Sequence, residues 1–287
     1  MPRPPSPFDP PLAAVADAVA RALAEDLGPL GDITAALVPP SATVVARLRS
    51  RAVGVLAGGA CADEAFRQLD SRIEVTWERT DGAGLGPGDV VAVVRGPLAP
   101  VLTAERTALN FVCHLSGVAS LTRRFVDAVA AANPAARVWD TRKTLPGLRA
   151  LEKAAVRAGG GVNHRGSLSD MVLVKDNHLA GLSITEAVAA ARHRWPARTV
   201  EVECDRLEQV LEAVEAGADL VMLDNMGPDE VRHCVTLVAG RALVEVSGGV
   251  KLDNVAALAA AGADLVSTSA ITQSAPALDL GLDLEVS

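Results

Sequence analysis

Several absences narrow the possibilities for this chain. Its four cysteines, Cys61, Cys113, Cys204 and Cys234, form no CxxC pair and keep no metal-ligand spacing. That excludes a zinc module and reads as idle thiols in a reducing cytoplasm. No apolar run reaches the roughly 18–20 residues that a membrane-spanning helix requires. The opening MPRPPSPFDPPL lacks the apolar core of a signal peptide and reads as a proline-rich leader or loose tail. These features predict a soluble cytoplasmic protein. Positive charge is also short: 27 Lys and Arg face 35 Asp and Glu, a formal net charge of -8. A nucleic-acid partner, which demands a broad basic face, is therefore not expected. GGGVNHR at 159–165 has neither GxGxxG form nor Walker spacing, so no dinucleotide or P-loop site is read.

Against this acidic background one segment stands out. Asp140 to Leu179 carries Arg142, Lys143, Arg149, Lys153, Arg157, His164, Arg165 and Lys175. Clustered cations repel one another unless an anion binds among them. Apolar neighbours, including Val138, Trp139 and the MVLV run at 171–174, suggest a lined cavity rather than a solvated stripe. A small, multiply charged anion fits such a place. Arg149, Lys153 and Arg157 recur at i,i+4 and read instead as one solvated helix face.

At 287 residues, 49% of them hydrophobic, the chain has room for one large domain or two smaller ones. Helical spacing runs from Leu12 to Leu27 and stops at Gly28-Pro29. Between Thr43 and Pro100 short strand-like runs alternate with glycine and proline turns, reading as a small mixed α/β domain. A long helical segment, Ala104 to Ala132, comes next.

From Arg137 onward RVWD, MVLV, VEVE, LVML, LVEV and DLVS alternate with helical stretches. That is the rhythm of βα units around a parallel sheet. AGADLVMLDNM at 216–226 is echoed by AGADLVSTSAI at 261–271, a helix–Gly–strand repeat suited to a barrel. Periodicity alone leaves an open doubly wound sheet possible.

Each predicted strand delivers polar residues at its C-terminal edge, where parallel barrels build active sites. These are Arg142-Lys143, Lys175, Glu203, Asp224, Ser247-Gly248-Gly249 and Ser267-Thr268-Ser269. Arg142, Lys143, His164, Arg165 and Lys175 together suit a ligand bearing two or more carboxylates. Glu201 and Glu203 alternate on one strand and point the same way. Glu203 with Asp224 offers hard oxygens suited to Mg²⁺, directly or through water or pyrophosphate. SGGV and STSAIT supply amides and hydroxyls for a phosphate. Asn177-His178 reads as structural or supporting.

These residues carry a resemblance. EDLGPLGDIT, ERTALNFVCHLSG, DTRKTLPGLR, EKAAVRAGGGVNHR, LVKDNH, VEVE, LDNM and VSGGV make the chain similar to the quinolinate phosphoribosyltransferase family. The resemblance implies an N-terminal mixed α/β domain, residues 1–115, followed by an incomplete parallel α/β barrel, residues 116–287 with the C-terminal tail. It implies Mg²⁺-dependent phosphoribosyl transfer to quinolinate with decarboxylation, in NAD biosynthesis. Lys143, Glu203 and Asp224 are then catalytic. Arg106, Thr141, Arg142, His164, Arg165, Lys175, Ser247, Gly248, Gly249 and Ser269 bind substrate. A homodimer or higher even oligomer is implied, with Arg106 crossing into the neighbouring site.

Three positions depart from the family pattern: Ser167 and Ser269 replace glycine, and Gln273 replaces histidine. The competing readings are a paralogue that ribosylates another aromatic acid or pyridine base, a Schiff-base aldolase using Lys175, and a barrel that merely binds phosphorylated metabolites.

Overall fold

Helix α1 (Leu12–Leu27) buries Val15, Ala18, Val19 and Leu23, one stripe at helical spacing. It ends where Gly28 takes a positive φ of 55° and returns its N–H to the Ala24 carbonyl. This computed structural model describes residues 5–286. The first four residues of the proline-rich stretch lie outside them. The rest of that stretch is tied down rather than loose: the Arg157 guanidinium donates to the carbonyls of Phe8 and Asp9.

After a 3₁₀ turn (Ala35–Leu37) the chain forms β1 (Thr43–Ser50), β2 (Gly54–Val55), α2 (Gly59–Leu69), β3 (Glu74–Trp77), β4 (Gly84–Leu85) and β5 (Val90–Pro97). Helix α3 (Leu98–Ala132) starts earlier than the expected Ala104. Pro100 sits in its first turn, where a missing N–H costs nothing because no intrahelical partner exists there.

The remaining elements are β6 (Arg137–Trp139), α4 (Arg149–Ala158), β7 (Val172–Val174), α5 (Asp176–Leu179), α6 (Ile184–Arg194), β8 (Val200–Cys204), α7 (Leu207–Glu215) and β9 (Leu220–Asp224). Then come α8 (Pro228–Val238), β10 (Leu243–Ser247), α9 (Val255–Ala260), β11 (Leu265–Ser267), α10 (Ala270–Gln273) and β12 (Leu280–Val286).

Two compact units result, and they interleave in sequence. The first comprises Met1–Arg123, Thr144–Gly160 and Ile271–Ser287; the second comprises Arg124–Lys143 and Gly161–Ala270. These compact units are a different division from the sequence domains 1–115 and 116–287, whose boundary falls inside α3. The C-terminal tail, expected with the barrel, belongs to the first unit because β12 pairs antiparallel along β1 from Val44 to Ser50.

In the first unit four antiparallel strands lie in the order β12-β1-β5-β3. β1 alternates buried and half-buried positions, with Val44, Ala46, Leu48 and Ser50 inward. Helix α4 is buried along both faces, which corrects the expected solvated stripe. Lys153 is only 6% exposed, Arg157 binds the N-terminal segment, and Arg149 Nε donates to Thr144 Oγ1 at 3.2 Å.

The second unit is a parallel six-stranded sheet in the order β6-β11-β10-β9-β8-β7. Consecutive strands β6 and β7 stand at opposite ends of that order, so the barrel is incomplete between them. Helices α6 to α9 pack against the strands. The repeated AGAD has a structural cause. Gly217 and Gly262 take positive φ of 81° and 104° after their helices. Asp219 Oδ2 then accepts the Val200 N–H at 2.7 Å, and Asp264 Oδ2 the Val244 N–H at 2.8 Å. Each aspartate thus pins the start of a neighbouring strand. Among the described residues no helix is long and apolar enough to cross a membrane.

Candidate active site

Strand alternation decides what the second unit presents to its interior. Leu173, Glu203, Met222, Asp224, Glu245, Ser247 and Ser267 share the inward face and line an open cavity of about 530 Å³. Lys175, directly after β7, joins them, as do Thr141, Arg142 and Lys143 after β6. His164, Arg165, Gly248 and Gly249 complete the set from loops. Cations and carboxylates thus line one space of substrate size, with Lys175 paired to Glu203.

Two expected residues are not brought together with the rest. Ser269 is half-buried but does not line the cavity; Ser267 does. Arg106 belongs to the first unit, exposed on α3. Of the departures, Ser167 is exposed and donates from Oγ to Asp170 Oδ1 at 2.6 Å, closing a surface loop. Those bonds hold the Asp170 carboxyl below its usual range. Gln273 is exposed in the first unit.

Lys175 and Glu203 form an ion pair across adjacent strands. A 39% exposed, ion-paired amine differs from the desolvated lysine that Schiff-base chemistry uses. The His178 ring accepts the Lys175 N–H at 3.0 Å, a structural role at the start of α5.

The loop after β10 requires glycine. Gly248 has φ +80°, and a Cβ there would stand 2.4 Å from Asn225 Oδ1. Asn225 in turn takes a positive φ of 59° and donates from Nδ2 to Asp224 Oδ2 at 2.8 Å. Its own N–H goes to the Ser247 carbonyl at 3.0 Å. Asn225 therefore orients Asp224 and shapes the SGG loop together. Sequence reasoning missed it, although an asparagine directly after a strand-ending aspartate suits such a left-handed turn.

Below the cationic rim lies an unexpected floor. His164 Nε2 is 3.0 Å from Glu201 Oε2 and 3.7 Å from Glu245 Oε2, and both acids are 0% exposed. Glu201 Oε1 and both Glu245 oxygens make no well-formed hydrogen bond among the described residues, although the two carboxyls and Ser267 stand near enough to interact. Burial pushes the Glu201 carboxyl up to about 7. Burial and the neighbouring Glu201 charge push Glu245 up to about 8. Glu245 was missed by sequence reasoning; its signal is an acid at the centre of the core strand LVEV, in phase with Ser247. Arg165 is pulled down by its own burial and by the Arg142 charge. Burial pushes the Cys204 thiol up to about 12, in keeping with an idle cysteine.

Comparison with known proteins supplies the family. Residues 32–116 match the model of the quinolinate phosphoribosyl transferase N-terminal domain, and residues 118–283 that of the C-terminal domain. The chain is 43% identical over 281 residues to a nicotinate-nucleotide pyrophosphorylase (carboxylating) of Mycobacterium leprae, covering 94% of this chain and 97% of that protein. It is 41% identical to the human protein of the same name, covering 87% of this chain and 85% of the relative. A solved nicotinate-nucleotide pyrophosphorylase from Francisella tularensis superposes with TM-score 0.92 at 37% identity, covering 97% and 98% of the two chains.

Proposed function

The chain belongs to the quinolinate phosphoribosyl transferase family, and from that premise we propose that it is a carboxylating nicotinate-nucleotide pyrophosphorylase of NAD biosynthesis. It transfers phosphoribosyl from phosphoribosyl pyrophosphate to quinolinate, giving nicotinate mononucleotide, pyrophosphate and CO₂. The observation that carries this reading is the cavity of the second unit, which Arg142, Lys143, Arg165 and Lys175 line together with Glu203, Asp224 and the SGG loop.

Quinolinate presents two adjacent carboxylates. Arg142 and Arg165 suit them as planar donor forks, with Lys175 as a point charge. The amides around Gly248 and Gly249 and the Ser247 hydroxyl receive the 5′-phosphate. The quinolinate ring nitrogen attacks the anomeric carbon with its lone pair. The bond from that carbon to pyrophosphate oxygen breaks, and pyrophosphate departs with the electron pair. Glu203 and Asp224 stabilise positive charge on the ribose as it develops, and Lys143 neutralises the departing oxygens.

The product is an N-ribosylated pyridinium. Its cationic nitrogen stabilises the electron pair left at C2 when the 2-carboxylate departs as CO₂, and a proton then fills that position. No protein nucleophile is needed. Positioning supplies about 7–11 kcal/mol of the barrier reduction when reactants are held in near-attack geometry.

The two half-buried carboxylates of Glu203 and Asp224 are hard oxygen donors, a set that fits Mg²⁺ completed by phosphate oxygens. When bound there, directly or through water or pyrophosphate, Mg²⁺ supplies neutralisation of the pyrophosphate charge. The working assembly is a two-fold dimer, or a higher even oligomer, in which Arg106 completes the site of a neighbouring copy.

Incubation of the purified protein with quinolinate, phosphoribosyl pyrophosphate and Mg²⁺ should release pyrophosphate, and nicotinate should not substitute. Release with nicotinate alone would move the substrate, and release with neither would sink the reading.

A further inference from the structure

The cavity floor bears on how the anion site is held. His164 lines the cavity, yet both of its ring nitrogens are already engaged. Nδ1 lies 2.8 Å from the Arg165 backbone nitrogen. A backbone N–H can only donate, so Nδ1 carries a lone pair. The proton of the neutral ring therefore sits on Nε2, which faces Glu201 at 3.0 Å with Glu245 beyond it at 3.7 Å. The backbone is fixed as well: Asp140 Oδ1 accepts the His164 N–H at 2.9 Å, and Asp140 Oδ2 accepts from Asn163 at 2.6 Å. Trp139 closes the ring's flank edge-on, with centroids 4.8 Å apart. From this held residue the next side chain, Arg165, enters the cavity.

The same three groups place ligand atoms within 4.8 Å of one another, a spacing suited to a metal ion. The tautomer argues against that occupant. With Nδ1 accepting the Arg165 amide, Nε2 holds a proton and has no lone pair to give.

We propose that Glu201 and Glu245 are positioning residues for the substrate anion site. Acting through the His164 ring, Glu201 accepts its Nε2–H while Glu245, 3.7 Å away, adds negative charge behind that bond; together they leave Nδ1 to receive the Arg165 amide, and so set where the Arg165 guanidinium meets a substrate carboxylate. His164 then serves the site without a ring nitrogen touching substrate. The hydrogen-bond chain stands on geometry alone; only its last link, the quinolinate carboxylate, rests on the function proposed above.

The test has two parts that separate these claims. The chain has 5 histidines, so nitrogen-15 labelling of histidine gives a countable spectrum, with the His164 signals assigned by their loss in His164→Gln. The expected ring is neutral, protonated at Nε2 and bare at Nδ1. A ring protonated at Nδ1, or at both nitrogens, overturns the proposal whatever the enzyme's substrate.

Steady-state kinetics of Glu201→Gln and Glu245→Gln form the second part. The KM for quinolinate should rise roughly 10–100-fold, by analogy with the loss of activity when groups orienting a metal-binding histidine are removed. The KM for phosphoribosyl pyrophosphate should stay near its starting value. An unchanged quinolinate KM in both variants also overturns the proposal. If the unmodified protein does not turn over quinolinate, the function reading fails and the tautomer alone decides the hydrogen-bond chain. The same holds if a Gln variant does not fold.

Discussion

Each unit buries a histidine–glutamate contact, and the two are built differently. In the first unit Glu152, 0% exposed, receives a donor at each oxygen: the His114 ring at 2.8 Å and the Leu145 N–H at 3.1 Å. In the second, Glu201 and Glu245 are equally buried but face one imidazole, and three of their four oxygens make no well-formed hydrogen bond among the described residues. A satisfied buried acid holds structure together. An under-satisfied pair raises the free energy of the fold and persists where it shapes a site. The surroundings agree: antiparallel strands and a packed core in the first unit, a lined cavity in the second.

Four substitutions or titrations press on this contrast. The largest effect belongs to the cavity. Lys143→Ala should lower kcat by about 10²–10³-fold, or roughly 3–4 kcal/mol, as loss of a charge-stabilising donor does elsewhere, with the thermal midpoint nearly unchanged. Near-normal kcat/KM would remove Lys143 from the chemistry. Next, Arg106→Ala asks whether the first unit also serves catalysis. The variant should be nearly inactive by itself, and mixing it with Lys143→Ala subunits should restore part of the activity. Failure to recover activity in exchanged subunits would count against a site shared between copies.

Glu152→Ala should act on stability instead. It leaves the His114 ring and the Leu145 amide unpaired, which costs about 2–3 kcal/mol in unfolding free energy measured by denaturant titration. A stability equal to that of the parent would make this contact as dispensable as a surface pair.

The smallest effect is a pH slope. Glu245 is raised from 4.5 to about 8 in the fold, so the native state keeps a proton that the unfolded chain has released. Stability from this group is therefore full below about 4.5 and declines as pH rises through about 8. Glu245→Gln should remove that decline, so its stability relative to the parent should improve by about 2 kcal/mol between mildly acidic and mildly alkaline conditions. Parallel stability curves for the two proteins would show that Glu245 is not held protonated.

Much of this was legible in the sequence. Apolar spacing and the Gly28-Pro29 stop gave α1 its observed limits, and all six barrel strands fall where short apolar runs recur. Eleven of the expected site residues line one cavity because a period of two sends strand-end side chains inward together. Long-range pairing was not legible: nothing local in Leu280–Val286 says that it completes a sheet begun at Thr43. The burial of α4 was hidden for the same reason, since its cations look solvated until the N-terminal segment folds onto Arg157. Glu245 and Asn225 were passed over because a single acid in an apolar run and a single asparagine after a strand carry meaning only beside His164 and Gly248.

The most direct measurement uses carboxyl-labelled quinolinate in the presence of phosphoribosyl pyrophosphate and Mg²⁺, counting labelled CO₂ against pyrophosphate. Equal amounts of both, with none of either from nicotinate, are expected of a cavity that binds two carboxylates and loses one. Pyrophosphate released without CO₂ would contradict the carboxylating reaction proposed for this cavity.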